Sequence, residues 1–226
     1  MLDDPTTINR LIDSEGFQSL SPQLKVALAM GALALLSSAL VTLTAFTRIV
    51  IVLSFVRRAL STQEIPPTPV LLGLALFLTL FIMAPTFSQL EAVAVTPYLD
   101  GQITGSEAWR QGTDVLREFM LMQTRTRDLA LFVEISGLES LPDPTATPLH
   151  VLIPAFITSE LQTGFIMGFC LYMPFVLIDL VVSVILMSLG MMMMPPVVIS
   201  TPVKILLFVL VDGWQLVARA VSASFG

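Results

Sequence analysis

Five charged residues stand in stretches that otherwise read as lipid-compatible: Arg48, Glu160, Asp179, Lys204 and Asp212. Each costs about 2.5–3.5 kcal/mol at a bilayer centre on insertion scales for Arg, Lys and Asp. They must therefore face one another, a partner subunit or water. Two kinds of chemistry fit. Glu160, Asp179 and Asp212 could pass a proton along a relay, as in a proton-coupled small-solute transporter. Alternatively, acids and bases form structural pairs in an oligomer whose helices are shielded by protein, with Arg48 and Lys204 available to neutralise the acids. Spacing alone leaves both open.

Other reactive side chains are sparse. Cys170 lies inside an apolar run and reads as a small buried hydrophobe. His150 sits in a Pro-rich connector without Cys or carboxylate at metal-ligand spacing, so neither a metal site nor Cys/His catalysis has its parts. There is no Ser/His or paired-acid motif, and Asp179 and Asp212 are 33 positions apart in ordinary apolar sequence. The expectation is no enzyme, no cofactor and no metal.

A second unusual stretch is Gly190-Met191-Met192-Met193-Met194-Pro195-Pro196. Met is unbranched and polarizable, so it moulds itself to irregular or changing apolar surfaces. Gly190 frees the backbone, and two prolines cannot continue a helix. The stretch predicts a helix-to-helix turn with a soft apolar edge.

The elements that must hold these residues are helical. Of 226 residues, 55% are hydrophobic and 12% charged, far below a soluble domain, and mean hydropathy is +0.86. Long runs of Leu, Val, Ala and Met favour an all-α membrane protein over a barrel's alternation. Net charge is −6 without a basic run, which excludes a nucleic-acid footprint. The start lacks the basic and apolar regions of a secretory signal.

Four sections follow: a polar lead-in over 1–23, a first helical hairpin over 24–85, an extracytoplasmic helical section over 86–150, and a second hairpin over 151–226. Apolar runs Val26–Thr47, Val70–Ala84, Val151–Ile178 and Val197–Ala218 supply the long helices, with Pro85 ending the second and Pro154 and Pro174 kinking the third. Gly164 and Gly168 form a GxxxG that permits close helix approach. Thr104 and Glu107 match a capping box. Trp109, Gly112, Leu116, Phe119 or Met120, and Gln123 then make an amphipathic stripe, and Asp128 is placed to cap a further helix stopped at Gly137. Arg57 and Arg58 mark the first connector as cytoplasmic.

Several strings together resemble the FliP/SctR export-gate family of bacterial type III secretion. They are residues 44–57 (TAFTRIVIVLSFVR), 63–67 (QEIPP), 73–79 (GLALFLT), 116–120 (LREFM), 158–161 (TSEL), 174–181 (PFVLIDLV), the methionine turn, and 206–214 (LLFVLVDGW). Phe46-Thr47-Arg48 looks like the flagellar branch more than the virulence-injectisome branch, which is the alternative. The resemblance implies a non-enzymatic subunit that forms a ring-like or helical oligomeric channel, a homo-oligomer that is pentameric in the family. It also implies FliQ-like and FliR-like subunits, FlhB-like and FlhA-like export proteins, and unfolded flagellar proteins as substrates. The place implied is the inner membrane and the periplasm-level basal body. By the same resemblance Met191, Met192, Met193 and Met194 form a pore gasket, Phe119 and Phe132 a constriction, and Glu160 and Lys204 an ion pair between neighbouring subunits.

Overall fold

The computed structural model describes residues 21–62, 65–138, 145, 147–191 and 193–226. The polar lead-in and Met192 lie outside the described residues. The described chain is all helical: α1 (Pro22–Thr42), α2 (Phe46–Ala59), α3 (Thr68–Leu90), a π-helical turn (Glu91–Val95), α4 (Thr96–Leu99), α5 (Gly105–Gln123), α6 (Thr126–Ile135), α7 (Leu149–Ser188), α8 (Val197–Leu210) and α9 (Gly213–Ala223).

The chain divides into two compact units. One gathers the residues up to Thr44 with Met83–Ile157, the other Ala45–Ile82 with Thr158–Gly226. The first apolar run is thus not one rod. It stops at Thr42 and restarts at Phe46, so Arg48 stands in the first turn of a new helix instead of near the end of a span. Nor does Pro85 end the second run, because α3 carries it internally and continues to Leu90. A proline removes one backbone donor, a loss that an apolar helix tolerates when its surroundings re-satisfy the freed carbonyl. α7 runs as one 40-residue helix through both of its prolines.

In the first unit, Met120, Leu152 and Phe156 form a buried cluster with Leu43, Phe119, Leu129 and Ile153 packed around it. Thr104 caps α5, its hydroxyl accepting from the Glu107 amide at 3.3 Å. Asp128 is not a cap: α6 begins two residues earlier, at Thr126, after extended Thr124 and Arg125, and Asp128 is buried in its first turn. Gly137, at φ +68°, closes α6 as only a residue free of Cβ does cheaply.

On the exposed face of α5 the Glu107 carboxylate accepts from Arg110 and, at 2.9 Å, from Gln111. The Arg110 guanidinium first, then the Gln111 amide, lowers its pKa from 4.5 to about 2. A depressed carboxylate stabilises the folded form above its unfolded value, and that contribution fades as pH falls from about 4.5 toward 2. In an NMR titration Arg110→Ala is expected to return the Glu107 midpoint toward 4.5; an unmoved midpoint would refute this cause.

In the second unit, α2 turns Ile49, Val52, Leu53 and Val56 inward, the one-sided spacing of a packed helix. Burying each such side chain contributes about 1.5–3 kcal/mol. α2 meets α7 where Gly164 faces Ile51 and Gly168 faces Phe55, so the GxxxG serves a contact within the chain. Phe55 also sets its ring edge-to-face on Phe165, centroids 5.7 Å apart.

Candidate functional site

The second unit holds two polar levels. At the first, Arg48 and Glu160 are 2% and 0% exposed and form a two-pronged pair, with Nε donating to Oε2 at 2.9 Å and Nη2 donating to Oε1. The remaining Nη1 donates to the Ser224 carbonyl at 2.7 Å and to its hydroxyl at 3.0 Å. The Phe225 ring lies 3.8 Å from the guanidinium carbon, a cation–π contact in a dry setting. Planar, always charged arginine suits such a buried fork.

The second level lies one helix length away. Lys204 is 1% exposed; its Nζ donates to Asp179 Oδ2 at 2.5 Å and to Ser61 Oγ at 2.7 Å. Ser200 Oγ donates to the other Asp179 oxygen at 2.6 Å. Ser61 follows α2 at φ +56°, a left-handed position rare for a residue with a Cβ, and the lysine holds its hydroxyl. Four of the five charges in apolar sequence are therefore neutralised inside one chain, in two charge-assisted networks.

The Glu160–Lys204 pair that the family resemblance implies is one between neighbouring subunits. Glu160 and Lys204 do not pair with each other in the chain; Arg48 takes the first and Asp179 the second. Asp212 is exposed, not buried. It sits at φ +50° in the break between α8 and α9, which are bent by 65°. Gly213 follows because the Phe208 ring occupies the space a Cβ would need, at 2.3 Å. The serine partners and Phe225 carry no motif, and only the fold brings Ser61 and Ser224 to a cation.

The methionine turn is built as its residues require. The Gly190 amide bonds to Met187 and the Met191 amide to Leu186, both at 3.0 Å, closing α7 in a Schellman cap with Gly190 at φ +76°. Pro195 and Pro196 lead into α8. Between them Met193 is 100% exposed, and Met191 and Met194 are 40% and 37% exposed. Phe119 is half-buried and packs edge-on against Phe156 at 6.0 Å; Phe132 is half-buried on α6.

Two helical stretches among the described residues, Thr68–Leu99 and Leu149–Ser188, are long and apolar enough to cross a membrane, and the bent pair α8–α9 makes a third if counted as one. Their apolar side chains are largely exposed in the single chain: Phe77 and Phe81 on α3, Leu180 and Val181 on α7.

The family model "FliP family" matches residues 29–221. The chain is 47% identical over 215 residues to flagellar biosynthetic protein FliP of Bacillus subtilis (strain 168), covering 95% of this chain and 97% of that protein. It is 48% identical over 210 residues to the protein of the same name from Pectobacterium carotovorum subsp. carotovorum, 93% and 81% of the two chains. With that of Cereibacter sphaeroides it shares 47% over 202 residues, 89% and 67%. On a match that spans most of its length, the chain belongs to the FliP family.

Proposed function

We propose that the chain is a pore-forming structural subunit of the flagellar type III export gate, which passes unfolded flagellar proteins across the inner membrane. It is not an enzyme. The observation that carries the reading is the exposed methionine turn of a FliP-family chain, placed where two apolar helices meet. A secretion pore must yield to many side chains yet exclude water when idle. A ring of such turns does both, since flexible thioethers deform and an apolar constriction dewets. Symmetry supplies Met191, Met192, Met193 and Met194 once per subunit, in a homo-oligomer built with FliQ-like and FliR-like subunits beside FlhB-like and FlhA-like proteins. Phe119 and Phe132 belong to a second constriction at the level of the periplasm.

The inter-subunit pairing of Glu160 with Lys204 enters as an exchange of partners on assembly. The exchange leaves Arg48 with Ser224 and Phe225 and Asp179 with Ser200, neutral contacts that do not cancel either charge, so it requires a counter-ion for each from the neighbouring subunit. Against the transporter reading, Asp179 and Glu160 are each committed to a cation.

Replacing Met191, Met193 and Met194 by Ala is expected to leave subunit assembly intact and raise ion conductance of membranes holding the idle gate by at least severalfold. An unchanged conductance in an assembled mutant refutes the gasket.

A further inference from the structure

Among its described residues the second unit leaves one acid over. Arg48 is tied to Glu160 and Lys204 to Asp179, while Arg57 donates to Thr68 at 2.9 Å. Among the described residues of this unit, the side chains of Arg58, Asp212 and Arg219 have no ion-pair or hydrogen-bond partner, and all three are exposed. Asp212 holds the N-cap position of α9 but makes no side-chain cap bond, so its carboxylate is not used locally. Around it Val209, Leu210, Val211 and Leu216 are each more than half exposed. A bare carboxylate in so apolar a surface calls for a cation brought by whatever covers it. Its backbone is strained, and Gly213 fits only without a Cβ, so the bend that presents it is built in.

Height along the helices selects the cation. α2 and α7 run the same way between the two polar levels, since Arg48 meets Glu160 at one, and Ser61, two residues past the end of α2, shares Lys204 with Asp179 at the other. α8 returns from the second level. Asp212 lies eight residues beyond Lys204, about 12 Å, and Arg58 three residues before Ser61, about 5 Å, both measured back toward the first level. A long Arg side chain spans that difference. Arg58 and Asp212 stand on different elements and do not pair within one chain. Their complementarity is between two different faces, the heterologous kind that builds rings or open helices and does not stop at a dimer.

We infer that Asp212 of one copy pairs with Arg58 of the next, a head-to-tail contact in which each copy supplies the acid on the α8–α9 bend and the base on α2. The inference rests on the homo-oligomeric reading above and names one of its contacts. A second copy is the occupant. The competing two-fold arrangement, Asp212 against Arg219 on antiparallel α9 helices, ends at a dimer.

The test uses the full chain with Cys170, which is exposed, replaced by Ser. In native membranes the Arg58→Cys, Asp212→Cys double variant, treated with a flexible bismaleimide about as long as an arginine side chain, is expected to give a ladder of cross-linked species beyond the dimer. Without cysteines, Asp212→Arg and Arg58→Asp are each expected to lower the oligomeric fraction at least tenfold, and the two together to restore it to within twofold of wild type. Asp212→Asn and Arg58→Gln guard against misfolding, and each is expected to weaken assembly without altering the circular dichroism of the subunit. If the wild-type chain forms a large oligomer but the cysteines give no ladder, or if the double reversal is no better than the singles, the contact is refuted and the export-gate reading stands. A Leu216→Cys cross-link that stops at the dimer, with no ladder from the first pair, favours the two-fold alternative and likewise refutes it. A wild-type chain that never passes the dimer overturns both.

Discussion

Glu160→Ala is expected to destabilise the second unit by about 3–5 kcal/mol, the cost of stranding a buried charge. The site explains why the value sits high. Arg48 is 2% exposed and cannot turn to solvent, and its charge is fixed, because a guanidinium does not deprotonate in proteins. Its contacts to Ser224 and Phe225 would remain, but a hydroxyl, a carbonyl and a ring do not cancel a full positive charge. Reversible unfolding of the purified subunit in detergent measures the loss. The double variant Arg48→Met, Glu160→Leu separates the pair's net worth from the penalty of breaking it: replacing both partners by apolar groups is often neutral or stabilising, so this variant should recover most of the stability. Native gels then give the assembly readout. If Glu160 acts only inside the chain, the double variant should assemble normally; if it also exchanges to Lys204 of a neighbour, the double variant should fold yet assemble poorly. A Glu160→Ala subunit as stable as wild type would sink the intrachain assignment.

How far this could be read from the residues depended on the range of the cause. Local causes were legible. Gly190 and the two prolines mark the methionine turn, Thr104 and Glu107 mark the start of α5, and Gly137 marks the end of α6. Causes that act across the fold were not. Nothing in Leu43-Thr44-Ala45 is a helix breaker, yet the chain breaks there, and its two sides join different units. Pro85, a breaker by local rule, sits inside a helix. Charge balance showed that the buried ions needed partners, but Arg48 meets Glu160 across 112 positions and Ser224 across 176, distances at which spacing carries no information. Asp212 reads with the other charges in lipid-compatible sequence because its neighbours are apolar, and those neighbours are themselves exposed in the single chain.

The GxxxG makes a sharper case, because its two glycines look equivalent in sequence and are not equivalent in place. A Cβ on Gly164 would lie 3.2 Å from Ile51 Cβ and Cγ2, a contact that a shift of a few tenths of an ångström relieves. On Gly168 it would lie 2.6 Å from Phe55 Cγ and 2.9 Å from Phe55 Cβ. Rotating the ring moves the first atom but not the second, which is fixed to the α2 backbone, so relief requires the two helices to separate. Overpacking of this kind costs about 1–3 kcal/mol, whereas Gly→Ala inside a helix gains about 0.8–1 kcal/mol from propensity. Gly164→Ala is therefore expected to be near neutral in detergent unfolding. Gly168→Ala should be destabilising by about 1–2 kcal/mol despite its better helix propensity, and Gly168→Val by more. Combining Gly168→Ala with Phe55→Ala removes the ring from the clash, so the pair should be less harmful than the sum of the singles by at least about 0.5 kcal/mol, the signature of residues in contact. Because α2 carries Arg48 and α7 carries Glu160 on the same seam, loosening it should also admit water to that pair and speed proton exchange at the backbone amides of α2. Equal stability of the two alanine variants, or strict additivity with Phe55→Ala, would show that α2 and α7 do not meet at Gly168.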